Sequence, residues 1–358
     1  MKVSDILFIS FGQGGNNLTA ELARTNRRLD AMYVNTNLAD MRNIEDVATS
    51  DNRFIVPNAA GVGGNREKAK RYLSKNILKI IDLMEEFPDK QNYYITFSMS
   101  GGTGSGMGCG YLLGLSRYRP DLMVNVVLIL PKRSESPRAL LNTIKCWNEI
   151  KKMKNVNTIY LLDNEKRELV TEINEEFADA FNSFINLYKY DYDQNSKTID
   201  KSEIEILGNA KGVSSIMFLS DAQKRSIAAL NEEVVKHSIF YLNSRICSFY
   251  GLITPYEFDR EGLFDEYIAT EDHWLCISDD RPMMLVSGCS IKENEEVFLD
   301  IKDIYEGRVF DEDVIDDLDD ITVNERKSPT RKVEKKEKED KIDIESLTDE
   351  EWAKYLGL

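Results

Sequence analysis

Apolar residues along this chain follow two periods. Short continuous runs, "DILFISF", "AMYVNT", "RFIVP", "YYITFS", "MVNVVLILP" and "NTIYLLD", read as strands buried on both faces. Between most of them lie stretches with helical spacing: "NLTAELARTNR", "NREKAKRYLSKNILKIIDLMEEF", the segment after Ser105, and "SPRALLNTIKCWNEIKK". Strands alternating with helices predict an α/β fold with a parallel sheet covered on both faces. From Ile173 to Tyr190, the residues Phe177, Phe181, Phe184, Leu187 and Tyr188 recur at helical spacing, which predicts a long central core helix. The polar stretch "DYDQNSKTID" ends that pattern. A smaller mixed α+β region follows, with a helix over "QKRSIAALNEEVVKHSIFYLNSRI" and strands at "SSIMFLS", "WLCIS" and "MMLVSG". The predicted organisation is a first domain over 1–190 that includes the core helix, a second over 191–321, and a charged tail over 322–358.

The tail has two parts. "NERKSPTRKVEKKEKEDK" lacks aromatics and is nearly devoid of apolar residues, the composition of a disordered linker. In "SLTDEEWAKYLGL", Thr348 and Glu351 fit a capping box, and Leu347 with Trp352 fits a hydrophobic staple. Trp352, Tyr355 and Leu356 then share one face, so a short amphipathic helix is expected, too short to hold alone and in want of a partner groove.

Composition narrows the function classes. A formal charge of −16 disfavours direct DNA binding by the body of the protein. There is no 18-residue apolar run and no signal-peptide plan at "MKVSDILFIS", so neither a membrane span nor secretion is expected. Five scattered cysteines without Cys-x-x-Cys spacing read as reduced, buried thiols of a cytoplasmic protein. The two histidines, His237 and His273, lie far from the glycine-rich turns, which argues against a histidine triad or metal site.

Those turns carry the chemistry. "FGQGGNN" (Phe11–Asn17), "NAAGVGGNR" (Asn58–Arg66) and "SGGTGSG" (Ser100–Gly106) follow predicted strands and would emerge together at the carboxyl edge of the sheet. Backbone N–H groups unobstructed by Cβ atoms cradle anions, and three such loops on one edge can surround a polyphosphate. The hydroxyls of Thr103 and Ser105 add oxygen-binding donors that a plain tight turn would not need. The chain has no G-x-x-x-x-G-K-[ST] string, so it is not a P-loop protein. A dinucleotide fingerprint also fails, because Asn17 stands at its third glycine and "VNTN" lacks the ribose-binding acid.

"GGTGSGMG" resembles the signature of the tubulin and FtsZ superfamily, "GQGGNN" resembles its first phosphate loop, and "GVGGNR" its third-strand loop, in order between about residues 5 and 220. The resemblance implies a tubulin/FtsZ-like GTPase that binds GTP or GDP with Mg²⁺ and without a P-loop lysine. It places Gln13 and Gly14 on the phosphate and metal side, and Asn17 nearer the ribose or base. It puts Gly63, Gly64 and Asn65, with Ser98, Gly101, Gly102, Thr103, Gly104 and Ser105, around the phosphates. "PKRSE" resembles the ribose loop, with Glu135 holding a hydroxyl. FtsZ has an arginine four residues beyond that glutamate; here Ala139 stands there, beside Arg138. "LLDNEK" would bring Asn164 to the guanine, joined by Asn182 of the core helix; an amide oxygen accepts from guanine N1–H and N2–H₂, a pair of donors that adenine lacks. Phe177 or Phe181 would either stack on the base or pack the core.

In this family the pocket is completed by acids of the next subunit. The matching string "TIDKSE" offers Asp200 and Glu203, with Thr198 where the family has asparagine; an ordinary acidic helix start is the plainer reading. Asp200, Glu203 and Thr103 are thus the expected catalytic residues, in a head-to-tail filament. The divergent middle, short second domain and charged tail resemble the plasmid- and phage-borne branch whose filaments segregate DNA, with a tail that engages a DNA-bound adaptor. A cell-division FtsZ and a non-polymerising nucleotide-binding protein stay open as alternatives.

Overall fold

A computed structural model describes residues 1–219, 236–255 and 267–309. One ten-stranded sheet runs through them: β1 (Ile6–Phe11), β2 (Asp30–Asn35), β3 (Arg53–Ile55), β4 (Asn92–Ser98), β5 (Val124–Leu130), β6 (Val156–Asp163), β7 (Gly212–Phe218), β8 (Ile246–Thr254), β9 (Ile268–Ile277) and β10 (Met283–Cys289). Their order is β3-β2-β1-β4-β5-β6-β7-β10-β8-β9. The strands from β3 to β7 are parallel, while β10 runs antiparallel to both β7 and β8. The strand order turns back between β1 and β4, and a parallel sheet opens a ligand crevice at such a switch point. All six strands of the first half are where the apolar runs predict them.

The helices are α1 (Gly12–Thr25), α2 (Arg66–Ser74), α3 (Ile77–Glu85), α4 (Cys109–Tyr118), α5 (Pro137–Ile150), α6 (Val170–Ile185), α7 (Lys201–Gly208) and α8 (Glu296–Arg308). Three depart from the sequence expectation. The first glycine turn is itself the opening turn of α1. The single helix expected over "NREKAKRYLSKNILKIIDLMEEF" is two, because the chain leaves helical geometry at Asn76, whose side chain donates to the Tyr72 carbonyl instead. The helix expected to end in "FYLNSRI" does not reach that far: Phe240 bridges Leu162 and a strand unforeseen in the sequence, β8, starts at Ile246. Most of that helix, and the whole charged tail with Leu347, Thr348, Glu351, Trp352, Tyr355 and Leu356, lie outside the described residues.

The core helix α6 is packed as its spacing predicts. Phe181 meets Phe8 and Tyr94 edge-on, with ring centroids 5.2 and 5.1 Å apart, and Phe177 meets Tyr160 at 6.3 Å. Both phenylalanines have no exposed surface. Of the two readings of these rings, core packing holds and base stacking does not. All five cysteines are buried thiols. Among the described residues no helix is long and apolar enough to cross a membrane.

Candidate nucleotide site

A cavity of about 510 Å³ opens at the carboxyl edge, at the β1–β4 switch point. Gln13 and Gly14 of α1, Gly63 and Gly64 of the loop before α2, and Ser98 with Gly101, Gly102, Thr103 and Gly104 line it. The three glycine-rich segments therefore share one wall.

Part of their glycine content serves loop-to-loop contact. Gly12 has φ +72°, and a Cβ there would stand 2.9 Å from the Gly104 nitrogen. A Cβ on Gly102 would stand 2.7 Å from the Gly64 carbonyl carbon. At Gly101, by contrast, a Cβ would meet nothing within 4 Å, so its backbone faces open space in the cavity. Glycine at the first two positions locks backbone against backbone, and at the third it clears room for a ligand.

Side chains finish the clamp. Asn142 of α5 donates to the carbonyls of Gly64 (3.0 Å) and Ser100 (2.9 Å), joining two loops. Arg138 reaches the same rim and donates to the Gly63 carbonyl at 3.3 Å. Beneath them, Arg66 is buried at the first position of α2 and donates to the Ser105 carbonyl (3.0 Å) and to Glu149 (2.9 Å), which Lys70 also holds at 2.9 Å. Burial pushes the Glu149 carboxyl up, yet Arg66 and Lys70 outweigh it and hold it below its ordinary value.

The loop after β2 supplies residues that the sequence did not single out. Thr36, Asn37 and Asp40 line the cavity. The Thr36 hydroxyl lies 2.8 Å from that of Thr103. Asn37 donates to Asp40 at 2.9 Å and caps the 3₁₀ segment Leu38–Ile44 by accepting from Ala39. Asp40 is the carboxylate among the cavity's lining residues. The signal was present: "VNTN" lacks an acid at the strand end, but one follows a turn later, at Asp40.

Several of the expected residues have partners within the chain. Ser105 is buried and its hydroxyl donates back to the Gly101 carbonyl inside the helical turn, so it faces away from the cavity. Asn65 caps α2 by accepting from Lys68. Asn17 accepts from Asn43 at 3.2 Å on the flank of α1. Glu135 closes its own loop by accepting from the Lys132 amide at 3.1 Å.

The base side needs one correction. Asn164, at the end of β6, is buried and its Oδ1 has no hydrogen-bond partner. Asn182 is in the last turn of α6, where it accepts from Asn26 (2.9 Å), the residue that closes α1. Since α1 starts at the cavity and runs for 14 residues, Asn182 stands about 20 Å from the loops. The asparagine at the cavity end of α6 is Asn174, in its second turn, also buried and with an Oδ1 that likewise lacks a partner. A buried amide oxygen without a donor is costly, and two on adjoining elements suit a ligand edge rich in N–H groups.

Asp200 and Glu203 lie at the opposite, amino edge of the sheet. Asp200 caps α7, accepting from the amides of Ser202 (2.7 Å) and Glu203 (3.1 Å), and Glu203 reaches back to the Asp200 amide. Glu203 also accepts from Trp274 Nε1 at 3.2 Å. The Ser202 hydroxyl, with the two amides, holds the exposed Asp200 carboxyl below its ordinary value. The start of α7 is tied to the chain's first residue, whose amino group donates to the Lys201 carbonyl, so the strands' full length separates these acids from the cavity. Within one chain they do not meet.

The model of the Tubulin/FtsZ family GTPase domain matches residues 5–170. The tubulin-like protein TubZ of Clostridium botulinum C phage is 32% identical over 264 residues, which cover 72% of this chain and 71% of that protein. Among solved structures, the tail-truncated TubZ of Clostridium botulinum phage c-st superposes with a TM-score of 0.75 at 28% identity, covering 86% of this chain and 99% of that one. A GTPγS-form protofilament of Bacillus thuringiensis serovar israelensis TubZ shares the fold at a TM-score of 0.70, with 15% identity over 86% of this chain and 91% of that one. The architecture, the order of the three glycine loops and the likeness to TubZ agree: this chain belongs to the tubulin/FtsZ family.

Proposed function

We propose that the protein binds GTP in the carboxyl-edge cavity and hydrolyses it at head-to-tail subunit contacts of a filament that segregates plasmid or phage DNA. One observation carries this reading: the glycine-lined cavity and the acids of α7 occupy opposite edges of the same sheet. A head-to-tail contact joins those two edges, because a heterologous interface sets one face of a subunit on a different face of the next. Asp200 and Glu203 would then orient the attacking water, while the amides of residues 101–104 and the Thr103 hydroxyl stabilise the transferred phosphoryl group.

Guanine would be read by Asn164 and Asn174, whose buried amide oxygens accept N1–H and N2–H₂. Mg²⁺ fits the oxygen-rich phosphate side: Asp40 and Gln13 would hold it together with the phosphates, where it neutralises their charge. The protein is cytoplasmic in this reading. In this reading residues 322–358 engage a DNA-bound adaptor, and deletion after Asp343 would spare GTP binding and weaken adaptor recruitment. Sedimentation with GTP and Mg²⁺ tests assembly: the account requires polymer with GTP and none with ATP, and equal pelleting without nucleotide would refute it.

A further inference from the structure

The loops after β5 and β6 emerge side by side, because Leu130 and Asp163 are register partners at the ends of the paired strands. They carry the residues expected on the ribose and on the base, Glu135 and Asn164. Arg133, midway in the first loop, spans the gap. Its two terminal nitrogens donate to the two oxygens of Asp163 at 2.7 and 2.8 Å, and its backbone amide donates to Glu165 at 2.7 Å. Asp163 is buried and immediately precedes Asn164; its Oδ1 also accepts from the Glu165 amide at 3.1 Å. A planar guanidinium held by both carboxylate oxygens fixes orientation as well as distance, which a single contact cannot do. The loop is pinned from outside too. Arg308, the last residue of α8, donates to the carbonyls of Arg133 (2.7 Å) and Glu135 (2.8 Å). That helix is itself seated on α5 by Trp147, stacked on Phe298 at 4.1 Å.

We propose that Arg133 is a specificity-determining positioning residue: its fork to Asp163 bolts the ribose loop to the base loop and so presents the Asn164 amide to the guanine edge. The residue touches neither phosphates nor reacting atoms, so its loss acts on base discrimination and leaves phosphoryl transfer alone. A hydrogen-bonding pocket rejects the wrong base only while its polar groups stay in register with the right one, so loosening Asn164 weakens GTP selectively. The inference rests on the GTP reading above.

The test measures equilibrium binding of GTP, inosine triphosphate and ATP to the full-length chain, with steady-state turnover alongside. For Arg133→Ala we expect GTP affinity to fall about 10-fold with ATP affinity unchanged, narrowing the GTP-to-ATP ratio by the same factor. The preference for GTP over inosine triphosphate, which lacks the 2-amino group, narrows with it. KM rises while kcat at saturating GTP stays within about 2-fold. Arg133→Lys, which keeps the charge but not the fork, recovers part of the ratio. Should Arg133→Ala unfold, Arg133→Gln and the paired Arg133→Ala/Asp163→Asn change, which removes the stranded buried charge, must still narrow the ratio. An unchanged ratio in all folded variants overturns the inference, as does an equal loss for GTP and ATP or a loss confined to kcat. Failure of the underlying reading shows elsewhere: the unsubstituted chain would bind ATP as well as GTP, and the inference would fall with it.

Discussion

The hydroxyls of Thr36 and Thr103 stand 2.8 Å apart on two loops that line one cavity. The contact fixes the Thr103 side chain from the side of β2, so its hydroxyl is preset before a phosphate arrives. Removing one preorganised donor to a developing charge costs roughly 100-fold in turnover. Thr103→Val is therefore expected to lower kcat by about that factor, with GTP affinity nearly kept, and Thr36→Val by less. Phosphate release at saturating GTP checks both, and a Thr103→Val change that altered KM alone would place the hydroxyl in ground-state binding.

Asn174 and Asn182 make opposite predictions. Asn174→Ala removes a buried amide oxygen without a protein partner and should cost about 10- to 100-fold in GTP affinity, with ATP binding unaffected. Asn182→Ala removes an acceptor for Asn26 at the far end of α6 and should leave nucleotide affinity alone while loosening the α1–α6 junction by about 1 kcal/mol. Titration with a fluorescent guanine nucleotide separates the two. Loss of affinity in Asn182→Ala alone would restore that residue to the base.

Neighbouring glycines should respond differently. Gly102→Ala drives a methyl into the Gly64 backbone, so the loops must part, lowering both Tm and GTP affinity. Gly101→Ala meets open space in the protein itself, so Tm holds and the affinity loss comes from contact with the nucleotide. Thermal melts with and without GTP distinguish the cases; equal Tm losses would contradict the loop packing described here.

The Glu149 carboxylate predicts the acid limb of stability. Arg66 and Lys70 hold it below its ordinary value of 4.5, so its contribution is fully present above that pH and disappears as pH falls through the lower folded-state value. Glu149→Gln strands the buried Arg66 and should cost about 3 kcal/mol at neutral pH. Below both pKa values the difference should shrink, because the native carboxyl is then protonated as well. Urea titrations between about pH 7 and pH 3 read this directly, and a gap that widened on acidification would reverse the assignment.

The glycine loops were legible in the sequence because each is a short string directly after an apolar run, although the contacts that Gly12 and Gly102 serve lie in other loops. The six parallel strands were legible because double burial leaves continuous apolar runs. Asn182 was misplaced for a different reason. Asn174 and Asn182 both belong to the core helix, so helical spacing cannot say which is at the cavity end; that depends on where α6 starts relative to the sheet. Ser105 was read as a phosphate donor from its glycine neighbours, but a serine hydroxyl inside a helical turn can bond the carbonyl four residues back, as this one does to Gly101. Asp40 was legible as an acid a turn after "VNTN", but that it and Thr36 meet the other loops follows only from strand order.

The central claim is that one active site is divided between two subunits. Mixing two impaired variants tests it most directly. Thr103→Val keeps the α7 acids and damages the pocket; Asp200→Ala/Glu203→Ala keeps the pocket and removes the acids. In a head-to-tail filament of equal parts, about a quarter of the contacts join an intact pocket to intact acids. The account predicts that the mixture hydrolyses GTP at about that fraction of the native rate, well above either variant alone. A mixture no faster than the average of its two components would contradict it.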